Sequence, residues 1–173
     1  MNKPMKKLLH TGQDEQAQGM LEFALVLPIL LFLVMGIIDF GFIFSSRIAI
    51  ANAARTGVRY ATTHPAWWSD TNPPLANTIQ AAIMGSGSIS SVSNDDSHIR
   101  IEYLTSSGSL CGHYSELSRG YVADIGTEST CVIPNNHIRV TVTTTYQPIT
   151  PILRQLVGDF MSLSSSATMV EEQ

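Results

Sequence analysis

Two carboxylates stand inside a stretch that should hold none. Residues 20–44 form an almost wholly apolar run of 25 positions, and only Glu22 and Asp39 carry charge within it. A carboxylate facing hydrocarbon costs about 2.5–3.5 kcal/mol at a bilayer centre and less near its edge. Glu22, close to the start, can snorkel to the interface or pair with a positive charge brought by a neighbouring chain. Asp39, about one turn from the far end, is placed to reach the interface on that side.

The other reactive groups do not assemble into a site. Histidines at 10, 64, 98, 113 and 137 include no pair with helical metal spacing, and the sequence has no Cys-x-x-Cys. His98 and His137 each begin a predicted strand and read as exposed strand-end residues. Gly85-Ser86-Gly87-Ser88 lacks the lysine of a phosphate loop, and no Gly-x-Ser-x-Gly occurs. Trp67 and Trp68 follow the break at Pro65 and read as packing or loop residues rather than a ligand platform. No cofactor or metal is implied, and the chain is not expected to be an enzyme. Cys111 and Cys131 stand twenty positions apart. In an oxidising compartment they could close a loop worth about 3 kcal/mol by the chain-entropy estimate. The alternative is two buried thiols.

The run that carries Glu22 and Asp39 is long enough to cross a membrane. As a helix it reaches roughly 37 Å, against about 30 Å of bilayer hydrocarbon. Lys3, Lys6 and Lys7 precede it without an acid among residues 1–12, whereas residues 46–173 hold seven Arg, no Lys and ten acids. By the positive-inside rule the basic head stays cytoplasmic and the following domain lies outside. The net charge of −4 gives no basic surface for nucleic acid.

Helical character continues past residue 44. Ile48-Ala49-Ile50-Ala51-Asn52-Ala53-Ala54-Arg55-Thr56-Gly57-Val58-Arg59-Tyr60-Ala61 is rich in alanine, the best helix former. Arg55 and Arg59 share a face with Asn52 and Thr56, opposite Ile50, Ala54, Val58 and Ala61. One helix over about 17–62 is therefore expected, ended by Thr63-His64-Pro65. Pro28 deletes the hydrogen bond to the Ala24 carbonyl and predicts a kink. Gly36 and Gly41 allow another helix to approach. Three roles compete for this segment. A removable secretory signal finds small-x-small sites at Ala49-Ile50-Ala51 and Ala51-Asn52-Ala53, but its apolar core should be only 7–15 residues. A plain anchor and an assembly helix both fit the length, and the placement of Glu22 favours assembly.

Beyond the helix, Asn72-Pro73-Pro74 signals the start of a second one, running through Leu75, Ile79, Ala82 and Ile83 to a stop at Gly85. A Gly/Ser-rich linker follows over 85–94. Strands are predicted over 98–104, 138–146 and 160–170 from their alternation. A short helix over 152–157 is stopped by Gly158. Residues 105–131 read as a long loop. The expected fold is α+β: a long N-terminal transmembrane helix, with its membrane part at 20–44, continues into an extracytoplasmic domain with a small antiparallel sheet of about three strands and a second helix. The parts are a cytoplasmic leader (1–17), the long helix (18–62) and the domain (63–173) with a variable insert (64–137).

The sequence resembles the TadE-like family, minor pseudopilins of the Tad (Flp) pilus. Gln18-Gly19-Met20-Leu21-Glu22-Phe23-Ala24-Leu25-Val26-Leu27-Pro28 is similar to the family signature. Ile37-Ile38-Asp39-Phe40-Gly41 and Asn52-Ala53-Ala54-Arg55-Thr56-Gly57-Val58-Arg59-Tyr60-Ala61 also match it. A second block over 138–172 contains Val140 to Tyr146, Pro151-Ile152-Leu153 and Leu163 to Glu171; the likeness is weak over 64–137. The resemblance implies a type IV prepilin-like protein of the bacterial inner membrane, single-pass, with its N-terminus cytoplasmic. Its partners would be other pilins and pseudopilins, the inner-membrane assembly platform, membrane lipid and, where the leader is removed, a prepilin peptidase. Counting from Glu22, the resemblance places the cut between Ala17 and Gln18, where the family commonly has Gly in place of Ala17. Cut, the chain presents a new amine one turn from Glu22, and a neighbour's amine could neutralise that carboxylate in a filament. Uncut, it is a membrane component of the same machine. The competing function is a membrane-anchored extracytoplasmic binding protein unrelated to pili.

Overall fold

The structure, a computed structural model, describes residues 11–64, 76–86, 92–115, 117–118 and 120–171. Its first element, α1 (Thr11–Thr63), is a single helix of 53 residues, about 80 Å long. It runs through Pro28 and ends as the His64 N–H donates to the Tyr60 carbonyl at 3.0 Å. Residues 18–35 of α1 are exposed on every face. From there a covered stripe begins at Gly36, Asp39, Ile43 and Ser46, and continues at Ile50, Ala53, Gly57 and Ala61. Steps of three and four keep these positions on one side of the helix.

That stripe lies against a five-stranded antiparallel sheet made of β1 (Ile99–Leu104), β2 (Leu110–Ser115), β3 (Gly120–Ala123), β4 (His137–Tyr146) and β5 (Met161–Val170), in the order β3-β2-β1-β4-β5. Period-two alternation sends Ile138, Val140 and Val142 of β4 into the core beside Ile101 and Tyr103 of β1 and Leu163 of β5. The opposite face is polar. On it Glu102 pairs with Arg100 (Nε to Oε1, 3.0 Å) and Arg139 (Nη1 to Oε2, 3.5 Å). Helix α2 (Ile79–Gly85) adds Ile79 and Ile83 to the core.

Three sequence expectations need correction. The sheet has five strands, not three, because residues 105–131 fold. They form β2, β3 and the short helix α3 (Glu128–Cys131), and a disulfide joins Cys111 to Cys131. The strand signal was weak because β2 contains no β-branched residue and β3 has only four residues. The Tyr121 side chain lies directly over Gly112: a Cβ there would be 1.9 Å from the Tyr121 hydroxyl, so any larger residue must displace the ring. The Tyr121 ring tilts against Tyr103 at 5.8 Å, and its hydroxyl donates to the Gly126 carbonyl at 3.0 Å. The two aromatic rings thus tie the β2–β3 hairpin to the core strand β1.

Second, α2 starts at Ile79, capped by the Thr78 hydroxyl accepting from the Ala81 N–H, rather than near Asn72. The Asn72-Pro73-Pro74 signal itself lies outside the described residues, as do Lys3, Lys6, Lys7, Trp67 and Trp68. Third, His98 and His137 are not simply exposed strand ends. His98 is half-buried with its Nδ1 2.7 Å from Asp95, and His137 has a buried Nδ1.

Small residues set how closely α1 approaches the sheet. A Cβ built on Gly57 would lie 2.3 Å from Ile83 Cγ1 and 3.3 Å from Val140 Cγ1. Gly57→Val therefore forces α2 or β4 away and should lower stability by about 1–3 kcal/mol. Chemical unfolding of the full chain in detergent checks this, and an unchanged midpoint would contradict the packing described here.

Candidate functional site: Asp39 and the exposed half of the helix

Four donors converge on the Asp39 carboxylate. The Tyr146 hydroxyl donates to Oδ1 at 2.6 Å, and the Ile149 N–H donates to the same oxygen at 2.8 Å. The Thr150 N–H donates to Oδ2 at 2.9 Å, and the Thr150 hydroxyl donates to that oxygen too. Asp39 is fully buried beneath them. An ionised carboxylate offers about four acceptor positions, so this one is satisfied by the chain itself.

The local sequence explains the convergence. Pro148 and Pro151 have no N–H, so the turn between them offers only the amides of Ile149 and Thr150, and both point at Asp39. Thr150 also occupies the N-cap of helix α4 (Pro151–Val157), but its hydroxyl makes no capping bond there because Asp39 takes it. Arg154 steadies the turn, its Nε donating to the Pro148 carbonyl at 2.6 Å. Burial, together with the neighbouring Asp39 carboxylate, pushes the Tyr146 phenol up to about 12. Tyr146 thus remains a neutral donor at physiological pH, and its share of the stability is lost only as pH rises from about 10 towards 12.

Asp39 was legible as an anomaly in the run, but its partners were not. The structure does not leave it at a free interface; it pins the β4–β5 connection to α1, more than a hundred residues away in sequence. Tyr146 and the two prolines were visible only as the end of a strand.

The remaining candidate residues lie elsewhere. Gln18 and Glu22 are on the exposed part of α1, and Glu22 has no hydrogen-bond or ion-pair partner among the described residues. Ala17 lies within α1, whose described backbone is helical on both sides of the candidate cut. A Cβ on Gly36 or Gly41 would meet nothing within 4 Å, so the fold of one chain does not require glycine at either. Cys111 and Cys131 lie far along the chain from Asp39, at the β2–α3 junction. His113 pairs with Asp124 at 2.8 Å and His64 stacks on Tyr60 at 4.7 Å. No group of three or more potential metal ligands occurs among the described residues.

Residues 17–59 match the family model for TadE-like proteins. This stretch is a TadE-like segment. It contains Glu22, Pro28, Asp39 and Gly57, and so spans both the exposed half of α1 and most of the half packed on the sheet. The second block of resemblance, over 138–172, lies outside the match. No curated protein and no solved structure matches the chain. Within the TadE-like segment, α1 is long and apolar enough to cross a membrane, with a mean hydropathy of 2.7 in its most apolar window and no part of that window buried.

The Asp39 cluster can be tested through stability. Tyr146→Phe removes one hydrogen bond to a charged group and should cost about 1.5–3 kcal/mol. Asp39→Ala strands several buried donors together and should cost more, about 3–5 kcal/mol. Equal unfolding midpoints for the wild type and both variants would contradict the cluster's role.

Proposed function

We propose that this chain is a TadE-like minor pseudopilin, or a membrane component, of a Tad-type pilus assembly or secretion apparatus, and that it does no chemistry of its own. The observation that carries this reading is the TadE-like match over 17–59, on a helix whose first half has no partner in its own chain among the described residues and whose second half is a core element of the domain. An apolar helix exposed on all sides needs either lipid or other helices around it. On this reading it has both in turn: the bilayer stores it, and other pilins and pseudopilins pack against it during assembly. Gly36 and Gly41, unneeded by the single chain, are then points of close helix approach. The N-terminus faces the cytoplasm and the sheet domain lies beyond the inner membrane, where an oxidising compartment suits the Cys111–Cys131 bond.

Glu22 is the registration residue in this proposal. It stands unpaired among the described residues, on an apolar helix where a lone carboxylate is costly. A neighbour's amine at Gln18, freed by a cut after Ala17, would relieve that cost. The mass of the mature protein tests the cut: loss of residues 1–17 is expected, whereas an intact chain means an uncleaved membrane component. Glu22→Ala is expected to insert in the membrane normally and to reduce piliation. Normal pili in that variant would contradict the registration role.

A further inference from the structure

The direction of β4 locates the end of the domain nearest the exposed half of α1. Val140 lies by Gly57, whereas Tyr146 lies on Asp39. As β4 advances, it therefore runs back along α1 towards its N-terminal half. The connection from β4 to β5, residues 147–160, turns over at the level of Asp39, because β5 pairs antiparallel with β4 from Met161 opposite Tyr146.

This connection is unusually apolar on its outside. Ile149 is 54% exposed, Leu156 84%, Val157 46% and Phe160 66%. None of them joins the core of the domain. The adjoining stretch of α1 before Asp39, residues 20–38, has 19 positions. As a helix it is about 28 Å long, close to the thickness of bilayer hydrocarbon. With a span of these 19 residues, shorter than the apolar run 20–44, Asp39 stands at the membrane surface with Ile149 on it, and Phe160 precedes the residue that pairs with Tyr146.

We propose that the β4–β5 connection is a second membrane contact, with Leu156, Val157, Phe160 and Ile149 seated among the lipids of the leaflet on the domain's side. This rests on the reading of α1 as a membrane span. The occupant is lipid because these exposed apolar side chains lie at the level of Asp39, where the apolar stretch 20–38 ends. The charged residues of the connection do not oppose this. Arg154 is tethered to the Pro148 carbonyl, and both Arg154 and Asp159 lie on exposed positions from which a charged head can reach the headgroups. Short apolar elements of this kind lie in the interface plane without crossing it. Asp39 then has a positional role as well: it fixes the second contact at the depth where the span ends, so the domain is held to the membrane at two points rather than on a single stalk.

Site-specific labelling of the full chain tests this. Leu156→Cys, Phe160→Cys, Leu30→Cys and Ser106→Cys are each labelled with an environment-sensitive fluorophore, with the Cys111–Cys131 disulfide kept oxidised. The proteins are placed in vesicles of phosphatidylethanolamine and phosphatidylglycerol, with or without lipid carrying a nitroxide near the headgroup end of its acyl chain. Position 30 reports the span and position 106, exposed on the β1–β2 turn at the end of the sheet opposite Tyr146, reports water. The nitroxide lipid is expected to quench positions 156 and 160 severalfold more than position 106. Labels at 156 and 160 that behave like the one at 106, and are quenched by aqueous iodide, would overturn the second contact. So would labels shielded from both quenchers, since a protein neighbour would then be the occupant. A label at position 30 open to iodide would show instead that the membrane reading itself fails, and the second contact with it.

Discussion

The architecture depends on one buried carboxylate. Asp39 lies where the wholly exposed part of α1 gives way to the part packed on the domain, and it satisfies its charge with donors more than a hundred residues later in the chain. Removing a charge from water is expensive unless each lone pair finds a donor. Here two prolines silence the amides on either side, two amides and two hydroxyls remain, and all four turn to the carboxylate. These bonds tie the β4–β5 connection to α1 at Asp39.

The covered stripe of α1 extends that constraint along the helix. It starts at Gly36 and ends at Ala61, in steps of three and four, with small residues where the sheet or α2 comes closest. Asp39 fixes one end of the contact and Gly57 the depth of the other. Between them the β4 side chains lie along α1, and the direction of the strand follows from these two fixed points. The disulfide serves a different part of the domain, closing the β2–β3 and α3 region that contributes little to the contact with α1.

Much of this was readable beforehand, and the gaps have physical causes. The strands at 99–104, 137–146 and 161–170 announced themselves by alternation, and α1 and α4 by helical spacing bounded by Pro and Gly. The strands β2 and β3 were missed because Leu110-Cys111-Gly112-His113-Tyr114-Ser115 and Gly120-Tyr121-Val122-Ala123 pack through Tyr121 over a glycine, which leaves no periodic signature. The Asp39 cluster was half legible. A charge in an apolar run signals a missing partner, but nothing local says that the partner is a turn more than a hundred residues later. Glu22 remains as the sequence presented it, a carboxylate without a partner in its own chain among the described residues.

Above all, Asp39 holds the turn between Pro148 and Pro151 against α1. Hydrogen exchange at the Ile149 and Thr150 amides measures this directly, in the wild-type chain and in Asp39→Ala, both in lipid vesicles. Strong protection of both amides is expected in the wild type, with its loss in Asp39→Ala while the core amides of β1 and β4 stay protected. Equal protection of Ile149 and Thr150 in the two proteins would contradict that role.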